Sequence, residues 1–377
     1  MAVAFTVPQD VLLRLVSGLD RVVEKRNTIP ILSNVLLTVN GDGSLSVEGT
    51  DLDIAVRMEA EPGTATVETP GSTTVPAGLL RDILKKLGKT DVRFRSDERF
   101  ATLSAGRARF NLNELPASDY PDIAGIPGEA TEFKLWPGAL TRILDEVGFA
   151  ISTEETRYYL NGVYFHGVGE TERELATVAT DGHRLSKLVQ NVDGDLSAMA
   201  GIIVPRKTVS LFRSMADWCP DGEQIAVRCD ASKITFAATG FQLISKLIDG
   251  TYPDYGRVIP SGNDNTFDVK PDALRAAVDR VSTVSAERGR AVKFALAGST
   301  LTLTVQSPDA GTASDEIEID GAPSELEIGF NAKYVGDMLA TFESAALRFA
   351  LADPGAPALI TNPADDARLV VLMPMRV

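Results

Sequence analysis

The sequence predicts an α+β protein of three repeated domains, each with two helices packed on antiparallel sheets. Three observations carry that prediction. The opening phrase Phe5-Thr6-Val7-Pro8-Gln9-Asp10-Val11-Leu12 is restated as Phe133-Lys134-Leu135-Trp136-Pro137-Gly138-Ala139-Leu140, and again as Phe267-Asp268-Val269-Lys270-Pro271-Asp272-Ala273-Leu274. A second helical phrase keeps the same period: Val75-Pro76-Ala77-Gly78-Leu79, Val204-Pro205-Arg206-Lys207-Thr208 and Phe330-Asn331-Ala332-Lys333-Tyr334. Between these phrases, apolar and polar residues alternate with the period of a strand. The offsets of 128 and 134 residues between the opening phrases are domain-sized, far longer than a solenoid repeat. Domains are expected at residues 1–128, 129–253 and 254–377, with boundaries in the Pro/Gly-rich stretches near Gly125–Gly128 and Pro253–Gly262.

The first helix of each third carries one apolar stripe: Val11, Leu12, Leu15, Val16 and Leu19; Ala139, Leu140, Ile143, Leu144 and Val147; Ala273, Leu274, Ala277, Val278 and Val281. A stripe at i, i+1, i+4, i+5 and i+8 is a helix with one side to bury. Leu79, Leu80, Ile83, Leu84 and Leu87 repeat it, as do Tyr334, Val335, Met338, Leu339 and Phe342, while the copy around Val209 and Phe212 is looser. Pro or Asn at the start of these phrases suits a helix N-terminus. The alternating runs Leu45–Glu48, Val92–Arg95, Ile234–Ala237 and Leu301–Val305 read as half-buried strands, separated by turns such as Asn40-Gly41-Asp42-Gly43, Ala105-Gly106 and Ala297-Gly298.

Hydrophobic content of 44% over 377 residues gives each third enough material for its own core. No apolar stretch approaches the roughly 20 residues that span a bilayer. No basic segment precedes an apolar run at the start, so no secretory leader and a cytoplasmic location are expected. Cys219 and Cys229 are too few for a disulfide framework, and with only His166 and His183 no metal site or cofactor is expected.

Net charge is −15, which taken alone argues against a polyanion partner. The charge is segregated, however. Segments 8–26, 76–89, 137–150, 205–216, 271–284 and 331–342 hold fifteen Lys and Arg against nine Asp and Glu, leaving 22 basic and 43 acidic residues elsewhere. Arg14, Arg21, Lys85, Lys89 and Arg142 lie opposite the apolar stripes, with Lys86 and Arg280 flanking them. Basic helices on an acidic body suit a polyanion held on one face.

The three-domain period, Arg157-Tyr158-Tyr159-Leu160-Asn161-Gly162, Thr180-Asp181-Gly182-His183-Arg184-Leu185, Ile203-Val204-Pro205-Arg206-Lys207, Tyr252-Pro253-Asp254-Tyr255 and the ending Met373-Pro374-Met375-Arg376 together resemble the bacterial sliding clamp family, the beta subunit of DNA polymerase III. The resemblance runs from Phe5 to Val377 and implies a homodimer in which each chain forms half of a six-domain closed ring, helices inside. It implies a processivity factor that encircles double-stranded DNA without sequence specificity. Its partners would be the replicative polymerase, a clamp loader and other clamp-binding-motif proteins, with no membrane and no chemistry of its own.

DNA would be approached by Arg14, Lys85, Lys86, Lys89 and Arg142 of the basic helices and by Arg206 and Lys207 at a helix start, and by resemblance also by Arg26, Arg157, Tyr158 and Tyr159. By the same resemblance a partner-peptide pocket would be formed by Leu160, Thr180, Gly182, His183, Arg184, Leu185, Pro253, Arg257, Val258, Val371, Leu372, Met373, Pro374, Met375 and Arg376. Phe110 and Leu112 on an edge strand would meet residues around Val284 at the dimer interface. Where the family can carry a basic residue after the proline of the first domain's second helix, this chain has Ala77-Gly78, and Lys85, Lys86 and Lys89 are expected to compensate.

The residues read on their own leave an alternative, an acidic hydrolase centred on Asp181, His183 and Arg184, with Asp181 orienting His183 as a general base. Against it, Gly49-Thr50-Asp51-Leu52-Asp53 occupies the same place in the first third without a histidine, so Thr-Asp reads first as a turn in which Asp bonds local backbone. The apolar end Leu369–Met375 reads as a last core strand stopped by Pro374, with Met373 and Met375 giving an adaptable surface.

Overall fold

The computed structural model describes residues 3–24, 27–97, 100–169, 172–284 and 291–376. Helices stand at all six expected places: α1 (Gln9–Ser17), α2 (Ala77–Lys86), α3 (Pro137–Arg142), α4 (Arg206–Val209), α5 (Phe212–Trp218), α6 (Pro271–Ser282) and α7 (Ala332–Leu339). The loose fourth stripe is explained by a break at Ser210–Leu211, which splits that helix into α4 and α5. Asn331 caps α7, its side-chain oxygen accepting from the N–H groups of Lys333 and Tyr334.

Two helices differ from the sequence expectation. Regular α1 ends at Ser17 although the apolar stripe continues. Gly18 follows, where an added Cβ would meet Met58 at 3.0 Å, and Leu19 and Val22 stay buried in turns. After α3 the helix widens into a π-helical turn, Ile143–Val147, and the Ser186 hydroxyl donates to the Glu146 carbonyl at 2.6 Å.

Among the described residues every strand pairing is antiparallel, in four sheets. The described chain forms two compact units. The first holds residues up to Leu140, Asp193–Asp195 and Leu211–Leu247. It contains a five-stranded sheet in the order Thr66–Thr69, Ala4–Pro8, Asp91–Ser96, Phe100–Ala105, Ala108–Asn113. Its nine-stranded sheet runs Asp193–Gly194, Thr131–Leu135, Ile225–Cys229, Lys233–Ala238, Phe241–Lys246, Ile54–Ala60, Leu45–Thr50, Asn34–Val39, Gly71–Pro76. The middle third is therefore shared between units, because its strand Phe241–Lys246 pairs with Ile54–Ala60 of the first third. Strict alternation puts Val92 and Phe94 inward, Phe94 stacking on Phe5 at 5.2 Å, and α1 and α2 lay Leu12, Leu15, Leu80 and Leu84 on this core.

The second unit holds Thr141–Val192, Leu196–Ser210 and the chain from Ile248 onward. Its eight-stranded sheet runs Ile202–Pro205, Gly162–Val168, Glu174–Thr180, Arg184–Asn191, Asp365–Leu372, Ala358–Asn362, Leu347–Leu351, Asn265–Val269. A four-stranded sheet runs Gly311–Glu318, Thr300–Ser307, Ala291–Ala297, Leu326–Asn331. Leu274, Val278 and Val281 of α6 and Val335, Met338 and Leu339 of α7 share one core with Phe294, Phe330 and Phe349.

Candidate functional site

The most distinctive local geometry is the turn between Glu174–Thr180 and Arg184–Asn191. The Thr180 hydroxyl donates to the Arg184 carbonyl at 2.7 Å and accepts from the Gly182 N–H at 3.1 Å. Asp181 Oδ1 accepts from the N–H groups of His183 (2.9 Å) and Arg184 (3.0 Å). The first third builds the same turn. Thr50 bonds the Ile54 carbonyl and the Leu52 N–H, and Asp51 Oδ1 accepts from Asp53 and Ile54. The central residue is left-handed in both, at φ 78° for Leu52 and 88° for Gly182. Glycine relieves that strain at Gly182, and a Cβ there would also stand 2.8 Å from Arg157 Nη1.

Arg184 anchors the turn. It is buried, donates through Nε to Asp181 Oδ2 (3.0 Å) and through Nη1 to Asp337 Oδ2 (2.9 Å), and lies over the Tyr334 ring at 4.5 Å. The His183 ring stacks on Tyr334 at 6.0 Å. Both Asp181 oxygens thus serve backbone amides and Arg184, and Asp181 meets His183 through its backbone N–H. The carboxylate–imidazole dyad that a hydrolase would need is not assembled.

The C-terminal strand completes the arrangement. Asp365–Leu372 pairs with Arg184–Asn191, setting Arg184 opposite Leu372 and Leu185 opposite Val371. Beyond it, Met373 N–H donates to the His183 carbonyl at 2.9 Å and Met375 N–H to the Gly329 carbonyl at 2.7 Å. Leu160, Leu185 and Val371 join Val178, Ile203 and Tyr252 in a buried floor, whereas Leu372 belongs to the core beneath α6 and α7. Above that floor Met373, Met375 and Val258 are exposed large apolar side chains, at 38%, 37% and 45%. Gly182, His183, Pro253, Arg257 and Arg376 are exposed beside them, and Thr180 and Pro374 are half-buried. Exposed methionines such as Met373 and Met375 suit an apolar peptide segment. Of the expected residues, Leu160, Leu185 and Val371 share one buried cluster, Leu372 belongs to another, Arg184 is buried in ion pairs, and Gly182, His183, Pro253, Arg257, Val258, Met373, Met375 and Arg376 are exposed.

Sequence reasoning missed the aromatic supports. The Tyr252 hydroxyl donates to the Val178 carbonyl (3.3 Å), Tyr334 carries His183 and Arg184, and the Tyr255 hydroxyl lies 2.9 Å from His166 Nε2. The repeat offered a signal for the first of these: Tyr120 donates in the same way to the Glu48 carbonyl at 3.1 Å.

In the first unit, Arg14, Lys85, Lys86 and Lys89 are exposed on or just after α1 and α2. Among the described residues no carboxylate pairs with Lys85, Lys86 or Lys89, whereas Arg81 is held by Asp20 (2.6 Å) and Asp82 (2.8 Å). Arg14 also lines a cleft with Glu59, Glu61, Asp217 and Trp218. Arg26 lies outside the described residues. In the second unit, Arg206 and Lys207 stand exposed at the start of α4, and Arg157 and Tyr158 are exposed beside the half-buried Tyr159.

Arg142 departs from expectation. Its Nε donates to Glu146 (2.8 Å) and its Nη2 to Asp365 (2.7 Å), and the Glu146 bond holds its pKa above the usual guanidinium value. A cation shared by two carboxylates is a weak phosphate contact.

The strand Ala108–Asn113 is the last of its sheet, as an edge residue pair requires, with Phe110 half-buried. Leu112 is buried in its own core, so what that position can offer a second chain is backbone rather than side chain. Val284, after α6, packs half-buried on the second unit's core. Among the described residues no group of three or more His, Cys, Asp or Glu side chains could hold a metal ion, and no helix is long and apolar enough to cross a membrane.

Family models of the DNA polymerase III beta subunit match this chain as N-terminal domain at residues 3–124, central domain at 134–254 and C-terminal domain at 256–376. The Beta sliding clamp of Caulobacter vibrioides (strain NA1000 / CB15N) is 41% identical over 376 residues and that of Escherichia coli (strain K12) 34% over 373, each alignment covering 99% of both proteins. Among solved structures, a sliding clamp from Bartonella birtlesii bound to griselimycin superposes with TM-score 0.94 at 40% identity, covering 100% of each chain. A Pseudomonas aeruginosa sliding clamp with ligand gives 0.93 at 33%, again over 100% of each chain.

Proposed function

The chain belongs to the DNA polymerase III beta subunit family of sliding clamps, and from that premise we propose that two copies close head to tail around duplex DNA and tether partners through the Met373–His183 surface. As a clamp the chain is a processivity factor rather than a catalyst, and none of the relatives supports the hydrolase alternative.

The observation that carries ring closure is a mismatch between sheets. Two joins between thirds have the same construction: the last strand of one third lies on a hairpin strand of the third before it. Phe241–Lys246 lies on Ile54–Ala60, and Asp365–Leu372 lies on Arg184–Asn191. Each is extended by the same hydrogen bond, Lys246 N–H to the Asp53 carbonyl (2.8 Å) and Met373 N–H to the His183 carbonyl (2.9 Å). The corresponding strands that remain, Ala108–Asn113 and Gly311–Glu318, each end a sheet, of five and four strands. Joined between two copies they would make nine, against nine and eight strands in the two sheets that already contain such a join. A contact of this kind is heterologous, and two copies of a three-domain chain close it.

The exposed lysines of α2, with Arg14, Arg206 and Lys207, would face phosphates without reading bases, which supports binding without sequence specificity. Confinement rather than affinity would then hold the clamp on DNA. Sedimentation of the whole chain tests the closure. The expected species has twice the chain mass, and Asn111→Pro, which removes an edge N–H, returns it to one chain mass. A wild-type monomer at micromolar concentration refutes ring closure by pairs.

A further inference from the structure

We propose that His166 is a positioning residue for the peptide pocket, holding Tyr255, and through it the turn that carries Arg257 and Val258, by a hydrogen bond whose present polarity exists only on the neutral imidazole. The inference rests on the pocket reading above, and its test is built to fail separately from that reading.

His166 lies on strand Gly162–Val168 and is not among the residues assigned to DNA or to the pocket. Its Nδ1 stands 3.1 Å from the Gly167 carbonyl and its Nε2 2.9 Å from the Tyr255 hydroxyl. A carbonyl oxygen only accepts, so Nδ1 carries the hydrogen, and Nε2 is left to accept from the Tyr255 O–H. Tyr255 opens the short 3-10 turn Tyr255–Val258, in which Val258 is among the most exposed apolar residues and Arg257 bonds Asp254 at 2.9 Å. The segment is pinned at two points, by Tyr252 on the Val178 carbonyl and by Tyr255 on His166, with Pro253 and Asp254 between them. The two clamps are coupled through Tyr164, which stacks on Tyr252 at 4.7 Å and lies 4.9 Å from the His166 ring.

Protonation reverses the His166 bond. Nε2 becomes a donor, so Tyr255 must turn its hydroxyl to accept, and its own hydrogen loses its acceptor. Burial and one nearby cation oppose the added charge, while the Gly167 carbonyl favours it. Lys187 Nζ lies 5.8 Å over the Tyr255 ring, Tyr164 and Tyr255 supply rings, the opposite residue on the neighbouring strand is Ala176, and Asp254 is taken by Arg257. Burial first, and Lys187 after it, lower the His166 pKa below the ordinary histidine value. A lowered pKa means that the ordered turn favours the neutral ring. Its contribution is therefore present above the ordinary histidine range and lost as pH falls through the lowered value.

The test uses the full chain, griselimycin as the probe, titration calorimetry between roughly pH 5 and 8, and ¹⁵N spectra of the imidazoles. The spectra should show His166 protonated at Nδ1 and titrating below the ordinary midpoint; the opposite tautomer overturns the proposal. His166→Phe and Tyr255→Phe, which keep the rings and lose the bond, should weaken griselimycin by about three- to tenfold at neutral pH. His166→Gln, which keeps an acceptor without a titrating ring, should bind like wild type. Any pH dependence surviving in His166→Gln arises from groups other than His166. His166→Gln must lose the part that His166 supplies, and an unchanged profile overturns the inference. His183→Ala is the control for the pocket. If it weakens griselimycin while His166→Phe and Tyr255→Phe do not, the pocket stands and the positioning role falls. If wild type leaves griselimycin unbound, or His183→Ala binds unchanged, the pocket reading falls first.

Discussion

Replacing Lys85, Lys86 and Lys89 together by glutamine tests the basic helix face directly. All three are exposed, and no described carboxylate neutralises them, so each is available to one phosphate. Each phosphate contact to duplex DNA contributes a slope of about −0.9 in log affinity against log salt, so three contribute about −2.7. Over a fourfold rise in salt, wild type should lose about fortyfold more affinity than the triple variant. The substitutions also touch stability. Lys85 and Lys86 lie in the last turn of α2, where a cation favours the helix dipole by about 0.3–1 kcal/mol each. That term shifts melting temperature, not the salt slope, so the two effects separate. The assay is fluorescence anisotropy of a labelled duplex titrated with the chain across salt concentrations. Lys293→Gln, whose charge is paired with Glu327 at 2.9 Å, serves as the control for net charge. A triple variant with the wild-type slope, or a control that changes it equally, would refute the assignment of this face to DNA.

Two further substitutions address how the second unit is held. Arg368 is buried with its Nε lacking a hydrogen-bond partner, burial pulls its pKa down to about 10, and it lies 3.9 Å over Phe342 while donating to the Thr341 carbonyl. Arg368→Met should stay within about 1.5 kcal/mol of wild type in thermal unfolding, while Arg368→Ala costs about 3–5 kcal/mol; equal losses would show that the charge, not the stacked volume, matters. Gly182→Ala should cost about 1–2 kcal/mol for the left-handed backbone and displace Arg157 Nη1. It should also weaken griselimycin measurably in calorimetry, and full affinity would exclude this turn from the pocket.

Much of the fold was legible because a threefold repeat states each helix and strand three times. The stripes of α1, α2, α6 and α7 and the alternation in Asp91–Ser96 and Thr300–Ser307 are period effects, and the structure buries most of the residues those periods select, whereas Leu79 of the α2 stripe stands 49% exposed. Two events escaped the periods. The π-turn after α3 depends on the Ser186 hydroxyl, some forty residues away, taking the Glu146 carbonyl. The glycine that follows α1 answers to Met58, which leaves no room for a Cβ at Gly18. In the candidate site, Thr180-Asp181 was legible as a turn because asparagine and aspartate side chains bond backbone two and three residues on. The pairing of Arg142 with Asp365 was not, since no local pattern relates residues 223 positions apart. The division of the expected pocket residues into buried and exposed was hidden for the same reason. Leu185 and Val371 are covered only once their two strands pair.

The two joins also explain why a repeated architecture need not repeat a function. The backbone is the same at both: a Thr-Asp turn, a left-handed centre and one extending hydrogen bond. At the first join the residues meeting across it are Asp53 and Lys246, whose side chains pair at 3.1 Å. At the second they are His183 and Met373, and the chain continues through Pro374 and Met375 with no charge to satisfy until Arg376. An ion pair ties its two strands to each other and offers an apolar partner little. A methionine beside an imidazole leaves apolar surface uncovered, which a peptide can bury. Shared backbone geometry therefore supplies the junction, and the side chains at two equivalent positions, together with the aromatic rings around the second, distinguish the two. Exchanging only that pair, Asp53→His with Lys246→Met, would transplant the exposed residues but not the Tyr334 and Tyr255 supports beneath them. Griselimycin should accordingly gain no second site of comparable affinity, and a stoichiometry that doubled would show the supports to be dispensable.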